Sequence, residues 1–181
     1  MAGKKYAKDY RLTDSLDERG RIRTETEYIG AYYRFAGTAD AVRKAQGRLL
    51  AAALLGALSF LLSLLPRSTA SLTLYVMLPF LFTALPIGLL LEALLHLRRS
   101  GERLDRRTAD QANIRVPGCC LWFVILPGAA LLGEGIALTL GHGAFLPGDG
   151  LFLAGALCTA LCGWICFREK DALHCVPESA E

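Results

Sequence analysis

Long stretches in the later part of this sequence lack charged residues. Only 20% of the 181 residues are Asp, Glu, Lys or Arg, whereas 53% are hydrophobic even without the 18 glycines. Soluble domains usually contain about 45–50% apolar residues with glycine included. The excess lies after Arg48, because the first 48 residues are polar and charged. This distribution excludes an ordinary soluble globule, a disordered chain and a fibrous repeat, and it indicates a small polytopic membrane protein.

Four apolar blocks are long enough to cross a bilayer, which takes about 20 mostly apolar residues. Lipid admits only helices and closed barrels, and the segment 49–55 does not alternate as a barrel strand would. Buried helices of a soluble bundle are the alternative, but they would carry polar stripes at helical spacing. We therefore predict an all-α membrane protein with four transmembrane helices, at about 49–65, 71–97, 119–140 and 151–167.

The basic residues predict the orientation of the spans. Of the 20 Lys and Arg residues, all except Arg67 lie before the first block, between the second and third, or after the fourth. The positive-inside rule therefore places both termini and the middle loop in the cytoplasm. We expect no cleaved signal peptide, because no apolar stretch lies near Met1. The compact spans and short outer loops favour a plasma membrane, such as a bacterial inner membrane.

The polar N-terminal segment is predicted to contain a short cytoplasmic β-hairpin. Residues 6–13 and 22–29 are the candidate strands, and 17–20 suit a type I turn closed by glycine. A lone hairpin is marginal in water, so it would need the membrane surface, a partner or a second copy. Thr38 is the predicted N-cap of a helix that continues into the first span. The predicted organisation is an N-terminal segment, a transmembrane domain and a cytoplasmic tail, at 1–37, 38–168 and 169–181.

An aromatic cluster before the first span has two interpretations. It is either a docking patch for another protein or an interfacial anchor at the headgroups, and we favour the anchor. A basic cluster in the middle loop also has two interpretations. It contacts anionic lipid, or it serves only as the topology signal, which we favour. The aromatic residues are Tyr28, Tyr32, Tyr33 and Phe35, and the candidate lipid-binding residues are Arg98, Arg99, Arg103, Arg106 and Arg107.

Three ionisable residues inside the apolar blocks are candidates for a ligand or ion site, since such residues at membrane depth are often functional. Glu92 and His96 lie four residues apart and share a helix face near the cytoplasmic end of the second span. They could instead pair with each other or with nearby arginines at headgroup depth. Glu134 lies between two glycines in the outer part of the third span. Its alternative role is a structural hydrogen bond to a neighbouring helix.

The six cysteines could bring several thiols to the cytoplasmic end of the bundle. A thiolate metal or redox site is one interpretation, but buried cysteine more often packs as a small apolar residue. No Cys-x-x-Cys motif is present, and we predict no metal and no cofactor. The thiols concerned are Cys119, Cys120, Cys162, Cys166 and Cys175.

The sequence gives no support for an enzyme. It has no Gly-rich phosphate loop, no intramembrane Ser/His pair, no paired aspartates and no His-x-x-x-His. We expect a non-enzymatic subunit or scaffold that engages a cytoplasmic partner. The alternative is a small oligomeric transporter or channel that uses Glu134. The expected partners are the lipid bilayer and either a second copy or another membrane protein, without nucleic acid.

Overall fold

The computed structural model describes residues 6–16, 22–68, 73–101, 103–140 and 146–178. Within these ranges six α-helices contain most of the residues. They are α1 (Ala39–Ser63), α2 (Leu74–Phe82), α3 (Ala84–Arg99), α4 (Arg106–Asp110), α5 (Val116–Thr139) and α6 (Pro147–Glu169). The strands are β1 (Tyr10–Leu16), β2 (Ile22–Tyr28), β3 (Tyr33–Phe35) and β4 (Cys175–Pro177).

Four helical stretches are long and apolar enough to cross a membrane, which confirms the predicted number of such helices. They extend beyond the apolar blocks at the polar end of the molecule, since polar residues continue each helix there. The first span, for example, starts at Ala39 after Thr38, although the Thr38 side chain makes no capping hydrogen bond. The four stretches are Ala39–Ser63, Leu74–Arg99, Arg106–Thr139 and Pro147–Leu173.

The middle loop is much shorter than the sequence predicts. We expected a connection over 98–118, but α3 ends at Arg99 and helical structure resumes at Arg106. The reason is an N-cap, because the Asp105 carboxylate accepts a 3.1 Å hydrogen bond from the Thr108 amide. A π-helical turn at Gln111–Arg115 then joins α4 directly to α5.

The predicted hairpin is present, with a shifted first strand. β1 pairs antiparallel with β2, in a register from Tyr10 opposite Tyr28 to Leu16 opposite Ile22. The expected strand over 6–13 therefore starts later, because Ala7–Asp9 form a 3₁₀ turn. The predicted turn at 17–20 lies outside the described residues.

The four spans pack as a ring in chain order. α1 packs mainly against α6, α6 against α5, α5 against α2 and α3, and α3 back against α1. Small residues allow the closest approaches. A Cβ at Gly163 of α6 would lie 2.6 Å from the Phe123 carbonyl oxygen of α5, and one at Gly155 would collide with Ser63 of α1.

Aromatic rings fill the centre of the bundle. The Phe80 ring of α2 lies 5.0 Å from Phe60 of α1 and 4.9 Å from Phe152 of α6, measured between centroids. Many leucines instead point outward, including Leu58, which is 55% exposed. An apolar outer surface of this extent suits lipid rather than water.

Candidate functional site

Three polar segments that are far apart in the sequence meet at one end of the bundle. β3 pairs antiparallel with β4, with Tyr33 opposite Pro177 and Phe35 opposite Cys175. On its other side, Tyr33 exchanges two backbone hydrogen bonds of 2.9 Å with Leu104 of the middle loop. The N-terminal segment, the middle loop and the tail are thus joined, and we call their described residues 6–16, 22–37, 100–101, 103–105 and 174–178 the polar cap.

The hairpin is attached to the bundle through tyrosine hydroxyls. Tyr10 donates a 2.6 Å hydrogen bond to the Asp105 carboxylate, and Tyr6 donates one of 2.8 Å to Asp110. The Tyr28 hydroxyl accepts a 3.0 Å hydrogen bond from the Arg106 amide and donates one of 2.8 Å to the Ala31 carbonyl. These contacts involve residues at the base of the hairpin or just before it.

The Tyr10–Asp105 hydrogen bond changes the pKa of both groups. The hydrogen bond to Asp105, together with burial, raises the pKa of Tyr10 to about 12. Burial alone would raise the pKa of Asp105, but hydrogen bonds from Thr108 and Tyr10 outweigh it and lower that pKa. The contact is therefore a charge-assisted hydrogen bond from a neutral phenol to an ionised carboxylate.

The tail is held by a residue that the sequence analysis missed. Asn113, in the π-helical turn, donates a 2.9 Å hydrogen bond from its side-chain amide to the Cys175 carbonyl. Its side-chain oxygen accepts one of 2.8 Å from the Cys175 amide. A single asparagine near a helix start gives no sequence signal for such pairing. The Cys175 thiol itself is buried, which raises its pKa to about 11, so it is not a reactive thiolate.

The five candidate lipid-binding arginines do not form one cluster. Arg103 lies 3.7 Å from the Glu178 carboxylate and 5.9 Å from the Tyr32 ring centroid, and Arg106 lies 3.8 Å from Asp9. These two therefore make contacts within the protein. The other three are exposed around the end of α3 and the start of α4, at Arg98, Arg99 and Arg107.

The aromatic cluster belongs largely to the polar cap. Tyr28 packs edge-on against both Tyr10 and Tyr32, at centroid distances of 5.2 and 5.1 Å. Tyr33 takes part in the backbone pairing described above, and Phe35 packs against the hydrophobic core. Their contacts are with the protein's own residues, which neither of the two predicted roles anticipated.

Glu92 and His96 are exposed and face different partners. The Glu92 carboxylate accepts a 2.7 Å hydrogen bond from Arg115 in the π-helical turn. His96 instead borders a cavity of about 340 Å³ that Tyr10, Tyr28 and other cap residues line. Of the pairings considered for Glu92, the structure shows the one with a nearby arginine, which comes from the neighbouring span.

Glu134 lies far from these residues, in the part of α5 near its C-terminal end, and it is completely buried in the bundle. Close by, a Cβ at Gly133 would lie 3.2 Å from the Val76 side chain of α2, whereas one at Gly135 would meet open space. Only the first of these two glycines thus marks a helix contact.

The thiols within the spans make helix contacts. Cys166 donates a 3.8 Å hydrogen bond to the Leu49 carbonyl of α1, and Cys158 accepts one of 3.2 Å from Ser59. Among the described residues, no group of three His, Cys, Asp or Glu side chains is placed to hold a metal ion. Comparison of this chain with protein-family models, curated proteins and solved structures finds no match.

Proposed function

We propose that this multi-pass membrane protein is a non-enzymatic subunit or scaffold, which uses its polar cap to engage a partner in the cytoplasm. The observation that carries the proposal is the anchored hairpin. Tyr10, Tyr28 and Asp9 hold its base against Asp105 and Arg106, where the middle loop meets α4, and its two strands pair with each other. A hairpin held in this way can serve as a recognition element on a membrane-bound platform.

The hairpin has the features of a recognition element. A two-stranded sheet leaves an unpaired backbone edge on each strand, and an extended segment of another protein adds readily to such an edge. The hairpin also gains order from the cap, since an isolated hairpin is only marginally stable. Its anchorage therefore lowers the entropy lost when a partner binds.

The proposed location is a plasma membrane, with the polar cap in the cytoplasm. The supporting observation is in the sequence, where nineteen of the 20 basic residues lie before the first apolar block, between the second and third, or after the fourth. At the other end of the bundle, the start of α6 meets the chain just after α1, where Gly148 lies directly against the Arg67 carbonyl. The proposed partners are a second copy or another membrane protein with a cytoplasmic segment.

Site-specific photo-crosslinking in native membranes tests the proposal. A photoreactive residue at Thr24 or Thr26 of β2 should crosslink to one defined protein, whereas the same residue at Arg67, at the opposite end, should not. Tyr10→Phe should reduce the crosslinking yield several-fold, because it releases the base of the hairpin. Equal yields from β2 and Arg67, or no crosslink from β2, would contradict the proposed role.

A second candidate function is a small oligomeric transporter or channel that uses Glu134. Its supporting observation is the complete burial of this carboxyl group within a membrane-spanning helix, where ionisable residues often handle protons or ions. Ion flux through reconstituted vesicles that Glu134→Gln abolishes, while the fold is retained, would favour this candidate over the scaffold.

A further inference from the structure

We infer that the polar end of the bundle contains a binding site for a phosphate-bearing anion, in a cavity between α1, α3 and β3 that is separate from the hairpin. The cavity has a volume of about 620 Å³. Arg34 of β3, Arg43 of α1 and Arg98 of α3 all line it. Three elements of the fold thus each contribute one arginine to the lining of the same space.

Among the residues that the structure describes, no acidic side chain lines this cavity. Three like charges around one space repel each other, so an anion between them is favoured. Four other arginines in the polar end differ in this respect, since each pairs with an acidic side chain, at Arg48, Arg103, Arg106 and Arg115. Within the described part of the chain, Arg34, Arg43 and Arg98 have no acidic partner, which leaves their charge available to a ligand.

The remaining lining residues indicate the size and chemistry of the ligand. Gln46 adds an amide beside the arginines, while Phe35, Val42 and Leu97 provide apolar wall. A single phosphate would leave much of the volume unfilled, whereas a phosphoester with an attached glycerol or acyl portion would use the apolar wall too. Arginine suits this chemistry, because its planar guanidinium binds two phosphate oxygens at once.

The position of the cavity suits a lipid headgroup. Arg98 follows directly after Leu97, where the second apolar block ends, and Arg43 lies within two helical turns of Leu49, where the first block starts. The cavity is therefore at the level where anionic headgroups meet the protein. A soluble phosphoester from the cytoplasm would bring the same chemistry, so the test distinguishes the two sources.

Binding measurements on the purified full-length chain in detergent test this site. The probes are phosphatidylglycerol, phosphatidylcholine and soluble glycerol 3-phosphate, and native mass spectrometry or calorimetry gives the affinity. We expect phosphatidylglycerol or glycerol 3-phosphate to bind at least tenfold more tightly than phosphatidylcholine, with affinity falling as salt rises. Preference for the lipid assigns a headgroup site, and equal affinity for glycerol 3-phosphate assigns a soluble ligand.

Paired variants make the test specific to the cavity. The double variant Arg43→Gln/Arg98→Gln should weaken binding at least tenfold, whereas Arg99→Gln/Arg107→Gln removes the same charge from exposed positions that do not line the cavity and should have little effect. Thermal unfolding without ligand checks that both variants fold. Equal losses in the two variants, or no preference for the anionic probes, would overturn the proposed site.

Discussion

The hydroxyl of Tyr10 lies 2.6 Å from the Asp105 carboxylate, although 95 positions separate the two residues in the chain. This hydrogen bond joins the N-terminal segment to the loop between the second and third spans. Two segments in direct contact must lie on the same side of a membrane. Asp105 also caps α4, so a single carboxylate both starts the third helical stretch and anchors the hairpin.

Removal of the Tyr10 hydroxyl should loosen the hairpin without affecting the bundle. A hydrogen bond to a charged group contributes up to about 3 kcal/mol, and we expect about 1 kcal/mol here because the pair is only partly buried. Tyr10→Phe should therefore speed hydrogen exchange of the β1 and β2 amides several-fold. Tyr32→Phe is the control, since the Tyr32 ring packs in the cap but its hydroxyl makes no hydrogen bond to a described residue. Equal exchange in wild type and Tyr10→Phe would show that the contact does not hold the hairpin.

The same pair should make hairpin anchorage depend on pH at both extremes. The folded-state pKa of Tyr10 is raised to about 12, so its contribution is complete below about pH 10, the ordinary tyrosine pKa, and is lost as pH rises toward 12. The pKa of Asp105 is lowered, so its contribution is present above the ordinary aspartate pKa and is lost as pH falls below it. The measurement is the difference in tyrosinate absorbance between the wild-type protein and Tyr10→Phe. This difference should show that Tyr10 ionises well above the ordinary tyrosine pKa.

Asp105→Asn is the matching control for this titration. It removes the charge that opposes ionisation of Tyr10, so the difference spectrum should shift toward the ordinary tyrosine pKa. A titration of Tyr10 near pH 10 in the wild-type protein would contradict the hydrogen bond.

Helix packing should depend on Gly163 and not on Gly135. A Cβ at Gly163 would lie 2.6 Å from a carbonyl oxygen of the neighbouring α5, whereas one at Gly135 would meet nothing within 4 Å. Overpacking of this kind costs about 1–3 kcal/mol, so Gly163→Ala should lower the unfolding midpoint in detergent. Gly135→Ala, on the lipid-facing side, should leave it unchanged or raise it. A lower unfolding midpoint for Gly135→Ala than for Gly163→Ala would contradict this packing of α5 against α6.

Replacement of the buried carboxyl group should distinguish the two candidate functions. We expect Glu134→Gln to fold normally and to retain the native role, because a neutral amide has nearly the same shape and also donates and accepts hydrogen bonds. The measurement is detergent stability together with proton flux into reconstituted vesicles. If the wild-type protein carries a proton flux and Glu134→Gln does not, the result would favour the transporter or channel over the scaffold.

The spans could be predicted from sequence because hydrophobicity accumulates along a continuous stretch, and the two strands of the hairpin because they are neighbours. The polar cap could not be predicted, since its contacts join distant segments. β3 and β4 have only three residues each, too few for a recognisable alternation. Asn113 was missed for the same reason, because its partner Cys175 is 62 positions away.

Glu92 shows that a partner cannot be identified from the sequence when the nearby loop is predicted too long. Its spacing from His96 favours a pair within one helix, but the short connection brings Arg115 of the next span within 2.7 Å. An arginine partner was one of the alternatives, but Arg115 could not be singled out because the sequence predicted a long loop over 98–118.

The sidedness of the polar cap tests the account most directly. On a background with all six native cysteines replaced, single cysteines at Ala31, Gly101 and Glu178 sample the three segments of the cap, and Arg67→Cys samples the opposite end. A membrane-impermeant maleimide should label Arg67→Cys from outside intact cells and the three cap positions only after the cytoplasmic face is opened. Labelling of Ala31→Cys and Gly101→Cys from opposite sides, or of the cap from outside, would contradict the account.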